Sequence, residues 1–161
     1  MGRQDDAPEN FREEQPRYAR SAARLYANDK IEVSWEPRFC IHAAECIRGA
    51  PAVFDSKRRP WIEIDNDSPD TIADVVHRCP TGALHFRRLD DGAQEPVPPD
   101  TTVEAQPDGP LYVRGEIRIV GQDGELLRTD TRVALCRCGH SSTKPFCDGT
   151  HRKIEFRTTD G

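Results

Sequence analysis

Apolar and polar residues alternate over residues 31–35, where Ile31, Val33 and Trp35 are separated by polar side chains. Alternation with a period of two predicts a strand that has one buried face. Residues 83–86 show the same alternation. We expect the two segments to pair as neighbouring strands of one sheet.

Between these two strands, apolar residues recur at helical spacing from Ile72 to Cys79. Ser68 is placed to cap the N-terminus of a helix, and Pro69 would occupy its first turn. Pro80 ends the pattern because the residue before a proline avoids helical backbone. The sequence therefore predicts a helix that carries Cys79 on its buried face, at its C-terminal end.

The second half of the chain alternates as well, from Leu111 to Ile119 across Gly115. A turn is predicted at 121–124, and residues 126–127 and 133–135 are further strand candidates. This half is therefore expected to be rich in β-structure.

Two segments have a different composition. Residues 1–28 combine many charges with few apolar side chains, which predicts a flexible start with one short helix over 18–26. Residues 90–110 contain five prolines and six acidic residues. We predict an extended, solvated linker over 90–108, between one domain at 29–89 and another at 109–161.

The composition argues against a membrane protein and against a nucleic-acid binder. Of 161 residues, 35% are apolar and 32% are charged, so we expect a small core that metal ligation helps to stabilise. No run of about 18 apolar residues is present, so no membrane association is expected. The N-terminus lacks an apolar signal region, which predicts a cytoplasmic protein. A net charge of −5 argues against nucleic-acid binding.

The cysteines fall into two groups of three, separated by 56 residues without cysteine. They are Cys40, Cys46 and Cys79, followed by Cys136, Cys138 and Cys147. Without a signal sequence, an even number of cysteines indicates metal ligation rather than disulfides. The grouping predicts two metal sites in two domains.

In the second group, Cys136, Cys138, Cys147 and His151 lie within sixteen residues. Thiolates with one imidazole suit an iron–sulfur cluster or zinc. Only Arg137 separates the first two cysteines, whereas zinc modules usually place two to four residues there. Spacing therefore favours a cluster but leaves zinc open.

This segment resembles the CDGSH iron–sulfur family, the mitoNEET-like proteins. The matching positions are Cys136, Cys138, Ser141, Pro145, Cys147, Asp148, Gly149, Thr150 and His151. The resemblance covers about 109–157. It implies a redox-active [2Fe–2S] cluster, with Cys136 and Cys138 on one iron and Cys147 and His151 on the other. Family members with one motif per chain are often homodimers, so a homodimer is one expectation.

The first group has the spacing of a bacterial ferredoxin run whose middle position is Ala43, followed by a remote Cys79-Pro80. Residues 29–88 resemble divergent single-cluster ferredoxins, which implies an α+β, ferredoxin-like domain. Three thiolates favour a [3Fe–4S] cluster. The resemblance favours a [4Fe–4S] cluster whose fourth iron takes water, His42 or another group.

We expect His42 itself to face solvent, because its side chain should point away from the direction that residue 43 would use. The residues assigned to packing around this cluster are Ile47, Val53, Phe54, Trp61, Ile72 and Val75.

Neither motif offers a substrate pocket or an acid–base pair, so the chain is expected to be an electron carrier rather than an enzyme. Its partner would be a reductase or an acceptor protein. Cluster sensing or delivery, and a zinc-stabilised interaction module, are the alternatives. Basic residues beside the second motif would dock an acidic partner or balance cluster charge. They are Arg137, Lys144, Arg152, Lys153 and Arg157.

Overall fold

The computed structural model describes residues 16–159, which form two antiparallel three-stranded sheets and few helices. The first sheet contains β1 (Arg24–Ala27), β2 (Ile31–Trp35) and β3 (Leu84–Arg88). The second sheet contains β4 (Thr102–Ala105), β5 (Leu111–Val120) and β6 (Leu126–Leu135). The helices are α1 (Glu45–Gly49), α2 (Pro69–His77) and α3 (Thr150–Lys153). In this part of the chain, no helix has both the length and the apolar character needed to cross a membrane.

In the first sheet, β2 lies between β1 and β3, and Val33 pairs with Phe86 as the alternation predicted. The predicted start of α2 is also confirmed, because the Ser68 hydroxyl accepts a hydrogen bond from the Thr71 amide at 3.2 Å. The apolar face of α2 packs on this sheet. The fully buried members of this core include Ile31, Val33, Val53, Phe54, Ile72 and Val76. Ile47 is an exception to the predicted packing set, since it is 36% exposed on α1.

The second sheet is simpler than the sequence pattern indicated. Residues 126–127 and 133–135, predicted as separate strand candidates, belong to the single ten-residue strand β6. The polar stretch between them stays in the strand because it pairs with β5 throughout most of its length. The predicted turn is present, with the Gly124 amide donating to the Gly121 carbonyl at 3.0 Å.

The short helix predicted over 18–26 is wrong. The Tyr18 amide donates to the Leu127 carbonyl at 2.9 Å, and a 3-10 turn at Arg20–Ala22 leads into β1. Pairing with β6 and β2 therefore overrides the local helical pattern. The predicted flexibility of residues 1–15 lies outside the described residues.

The segment predicted as a solvated linker contacts both domains. Residues 102–105 form β4, an exposed edge strand paired with β5. Glu95 turns inward and contacts His85 Nδ1 at 2.9 Å, and it also pairs with Arg132. One acidic residue of this segment, Glu95, thus contributes its carboxylate to a buried cluster of charged side chains.

That cluster joins the two halves of the chain. Arg128 of β6 is 1% exposed and makes two hydrogen bonds of 2.9 Å to Glu36 of the first half, one from each terminal nitrogen. It also lies 2.7 Å from Asp130. Arg132, fully buried, donates to the Leu84 carbonyl at 2.9 Å. Charges buried in this way are stable only when paired and hydrogen-bonded, so the halves are held in one orientation.

Gly82 allows the closest approach at this interface. Its φ of +71° lies in the left-handed region, and an added Cβ would collide with the Arg132 carbonyl oxygen and the Asp130 carboxylate. Only glycine combines this backbone with the absence of a side chain. The turn after Cys79-Pro80 therefore packs directly on β6.

The charges at the interface also make its stability depend on pH. Burial by itself would raise the pKa of Asp130, but the hydrogen bond and charge of His85 and the charges of Arg128 and Arg20 hold that pKa well below its usual range. A depressed carboxylate pKa stabilises the fold above the unfolded value, near 3.8, and this stabilisation is lost as the pH falls through the folded value. Acid should therefore open the interface.

Arg128→Met is expected to lower the free energy of unfolding by about 3–5 kcal/mol, because Glu36 would remain buried without its partner and Asp130 would lose one of its charged partners. Denaturant unfolding of the full chain measures the change. Arg118→Met on exposed β5 surface is the matched control and should change stability by less than about 0.5 kcal/mol. Equal effects of the two substitutions would contradict a stabilising role for the buried network.

Candidate metal centres

The C-terminal site begins where β6 ends. The Cys136 amide donates to the Pro145 carbonyl and the Cys147 amide donates to the Ala134 carbonyl, each at 2.8 Å. These two bonds continue the antiparallel ladder beyond β6 and close the loop between the two cysteines. Cys136 and Cys147 are therefore diagonal neighbours across this ladder, although they are eleven positions apart in the sequence.

A buried serine holds this loop closed. The Ser141 hydroxyl donates to the Phe146 carbonyl at 2.6 Å and accepts from the Thr143 amide at 3.1 Å. Ser141 is 7% exposed. A buried backbone carbonyl that loses such a partner is destabilising, so this side chain has a structural role in the site.

The four predicted donors come together as two pairs. Cys136 Sγ lies 3.9 Å from Cys138 Sγ, and Cys147 Sγ lies 3.4 Å from His151 Nδ1. Among residues 16–159, no three His, Cys, Asp or Glu side chains are grouped closely enough to hold one metal ion. Cys136 with Cys138 and Cys147 with His151 are therefore the two donor pairs of this site.

Backbone amides favour negative charge on these sulfurs. Sγ of Cys138 accepts from the His140 amide, and Sγ of Cys147 accepts from the Gly149 amide, each at 3.4 Å. Burial alone would raise the pKa of Cys136, but the amides of Ser141 and Gly139 reverse this and lower it. Burial raises the pKa of Cys147. Metal ligation would supply the positive charge that this buried thiolate needs.

Asp148 organises the other side of the loop without being a predicted ligand. Its carboxylate accepts from the Ser142 amide at 2.9 Å, the Ser142 hydroxyl at 2.7 Å and the Thr150 amide at 3.0 Å. Burial opposes ionisation here, but these hydrogen bonds from Ser142 and Thr150 hold the pKa of Asp148 well below its usual range. The ionised carboxylate positions the turn that leads to His151.

His151 is 7% exposed, within α3. Burial lowers its pKa, and the neighbouring charge of Arg152 lowers it further. Both causes favour the neutral imidazole, which is the form that binds a metal.

The N-terminal site is a small cavity of about 30 Å³ that Cys40, Cys46 and Cys79 line together with Trp35 and Trp61. Cys40 follows a 3-10 turn at Pro37–Phe39, Cys46 lies in α1, and Cys79 follows α2. The structure therefore brings together the three cysteines that the sequence separates by up to 38 intervening positions.

The cavity has the chemistry of an iron–sulfur site. Burial raises the pKa of Cys40 and raises that of Cys46 to about 11, so these thiols stay protonated unless a metal displaces the proton. The indole Nε1 atoms of Trp35 and Trp61 are buried without a hydrogen-bond partner among residues 16–159. A sulfide-rich cluster offers acceptors for such donors, so these residues fit the group.

In the loop between Cys40 and Cys46, His42 is exposed, as predicted. His42 and Ala44 both have left-handed backbone, with φ values of +58° and +64°. Ala43 between them is half-buried and lines the same cavity. No fourth thiolate is available from this loop, and its ligand set stays a prediction.

Several residues around the sites carry no functional signal in the sequence pattern. The alternation around Trp35 predicts only a strand, and nothing in the sequence marks Arg132, yet Arg132 donates to the Cys79 carbonyl. Two of the basic residues proposed for docking are engaged within the chain. Arg137 donates to the Gly109 and Gln106 carbonyls, and Arg152 donates to the Ile41 carbonyl.

Comparison with known proteins gives two family matches. The sequence model of a family described as "Divergent 4Fe-4S mono-cluster" matches residues 26–89. That of a family described as "Iron-binding zinc finger CDGSH type" matches residues 108–152. Two relatives, each named uncharacterized protein YjdI, come from Escherichia coli strain K12 and Escherichia coli O157:H7. Each is 39% identical over 64 residues, which is 40% of this chain and 84% of the relative.

The cysteine sites and these matches together define an iron–sulfur protein built from two modules. The chain belongs to the divergent 4Fe-4S mono-cluster family through its first half, and it carries a CDGSH-type iron-binding domain in its second half. Both resemblances drawn from the motifs are confirmed.

Ser141→Ala should accelerate loss of the C-terminal metal centre and destabilise the fold by about 1–3 kcal/mol, because the Phe146 carbonyl loses its buried donor. Decay of visible absorption and thermal unfolding measure the two effects. Ser56→Ala, at an exposed loop position of the other half, is the control. If both variants lose the centre at the wild-type rate, the loop does not depend on this hydroxyl.

Proposed function

We propose that this protein is an electron carrier with a [2Fe–2S] cluster at Cys136, Cys138, Cys147 and His151. The arrangement of donors in two pairs, at 3.9 Å and 3.4 Å, carries the proposal, since two irons each need two protein ligands. One histidine and three thiolates make a cluster less negative than four thiolates do. When bound, such clusters supply reversible one-electron chemistry.

The second part of the proposal is a [4Fe–4S] or [3Fe–4S] cluster at Cys40, Cys46 and Cys79. The family description supports four irons, whereas the thiolate count supports three. Exposed His42 lines the cavity and is one candidate for a fourth ligand, with water as another. The first sheet, with α2 packed on it and α1 against α2, supports a ferredoxin-like α+β domain.

The chain's own residues hold, shield and position these groups. Amide donors on the sulfurs and an apolar surround tune a cluster's potential, and neither site adds an acid–base pair. We therefore propose a carrier that serves a reductase or acceptor protein rather than an enzyme. A reducing compartment such as the cytoplasm suits its six free cysteines.

Iron and sulfide analysis of anaerobically purified protein should give about six iron atoms per chain for a [4Fe–4S] with a [2Fe–2S] cluster, or about five for a [3Fe–4S] with a [2Fe–2S] cluster. EPR spectra before and after dithionite should show a signal from each cluster in its paramagnetic state. Ala43→Cys, which adds a fourth thiolate, should favour the six-iron form. A colourless protein with bound zinc would contradict the proposal and support a zinc-stabilised module.

His151→Cys should lower the potential of the C-terminal cluster and flatten its pH dependence, because a thiolate adds negative charge and removes an imidazole that titrates. Redox titrations at several pH values measure both effects. His140→Ala, which removes the exposed imidazole of the same loop, should leave the pH dependence in place. A wild-type potential that does not vary with pH would overturn the role of His151.

Cluster delivery or sensing is the second candidate function. Gly139 and His140 are exposed beside the ligand Cys138, so an acceptor protein can approach this edge of the site. Rapid transfer of the [2Fe–2S] cluster to an apo-acceptor would favour delivery, whereas retention of the cluster through repeated redox cycles would favour electron transfer.

A further inference from the structure

The two metal sites meet along one seam. We define the seam as the contact between Phe39, Ile41 and Ala43 of the first half and Ala134, Phe146 and Cys147 of the second half. Phe39 precedes the ligand Cys40, and Phe146 precedes the ligand Cys147. Their rings pack edge to face with centroids 5.1 Å apart.

A ligand of the C-terminal site is itself part of the seam. Ile41 is 2% exposed, Ala134 is 3% exposed and Cys147 is 5% exposed, and the three form one apolar cluster. Ala43 and Tyr112 pack against this cluster. The position at which a ferredoxin would carry its middle cysteine therefore lies against the second half of the chain.

Polar contacts fasten the same junction. Arg152, the residue after the ligand His151, donates to the carbonyl of Ile41, the residue after Cys40. Arg132 donates to the carbonyl of the ligand Cys79. In addition, the Arg128 guanidinium lies 4.0 Å from the centroid of the Phe39 ring. Movement of either loop must disturb contacts of the other.

Given the proposed function, we propose that the seam couples the two sites energetically, so that each site holds its cluster more tightly when the other is filled. The second half packs against the loop that lines the N-terminal site, next to the position that lacks a fourth thiolate. Arg152 is a positioning residue that acts on the Cys40 loop from the C-terminal site. Coupling between sites is reciprocal, so both directions can be measured.

Cys138→Ser removes a ligand of the C-terminal site without changing a seam residue. We expect the N-terminal cluster of this variant to be lost to an iron chelator about tenfold faster than in the wild-type protein, with an altered EPR signal. Cys46→Ser tests the reverse direction on the C-terminal cluster. If the remaining cluster keeps its wild-type loss rate and signal in both variants, coupling is overturned and the proposed function stands.

Arg152→Gln tests the seam with all seven ligands in place. Its N-terminal cluster should be lost about threefold faster, because one hydrogen bond to the Cys40 loop is gone. Arg152→Lys should show a smaller increase, and Lys153→Gln, on the exposed end of α3, is the control and should keep the wild-type rate. Equal loss rates for all three variants would refute the positioning role, even if a ligand variant fails to fold. Absence of iron and sulfide from the wild-type protein would instead refute the proposed function.

Discussion

The pairing of Arg128 with Glu36 is the interaction on which the arrangement of the two halves depends. Both side chains are almost completely buried, and they come from positions 92 residues apart. A buried charge without its partner is strongly unfavourable, so the two sheets have few alternative ways to pack. The same guanidinium also lies on Phe39, which connects the ionic network to the residue before Cys40. Ionic pairing at the interface thus sets the geometry at the metal sites.

Each site is then built largely from backbone geometry. Two amide–carbonyl bonds extend β6 to make Cys136 and Cys147 diagonal neighbours, and the end of α2 presents Cys79 to the loop that begins at Cys40. A chain with only 35% apolar residues has little hydrophobic surface to bury, so metal ligation contributes stability where the core does not. The buried thiols with raised pKa values illustrate this coupling, because ligation removes a proton that burial retains.

Much of the local structure could be predicted from the sequence, because it depends on short-range patterns, and the structure brings the residues of each predicted ligand set together. The Ser68 cap and the alternation in β2 involve neighbours in the chain, and the donors of the second motif lie within sixteen residues. The helix predicted over 18–26 was wrong because backbone bonds to β6 decide that segment. The roles of Arg128 and Arg132 could not be predicted, since charged residues within a strand usually indicate a solvated face and their partners are distant in sequence.

The segment between the halves has a consequence for how the protein is assembled. Glu36 belongs to the first half and Arg128 to the second, so either half alone would expose a charge that the intact protein buries. Because the two halves belong to one polypeptide, their association is intramolecular. For a short flexible connection, the effective concentration of one half at the other is on the order of millimolar. Glu95 lies within that connection and enters the interface itself. The connecting segment therefore also contributes a side chain to the interface between the two halves that it links.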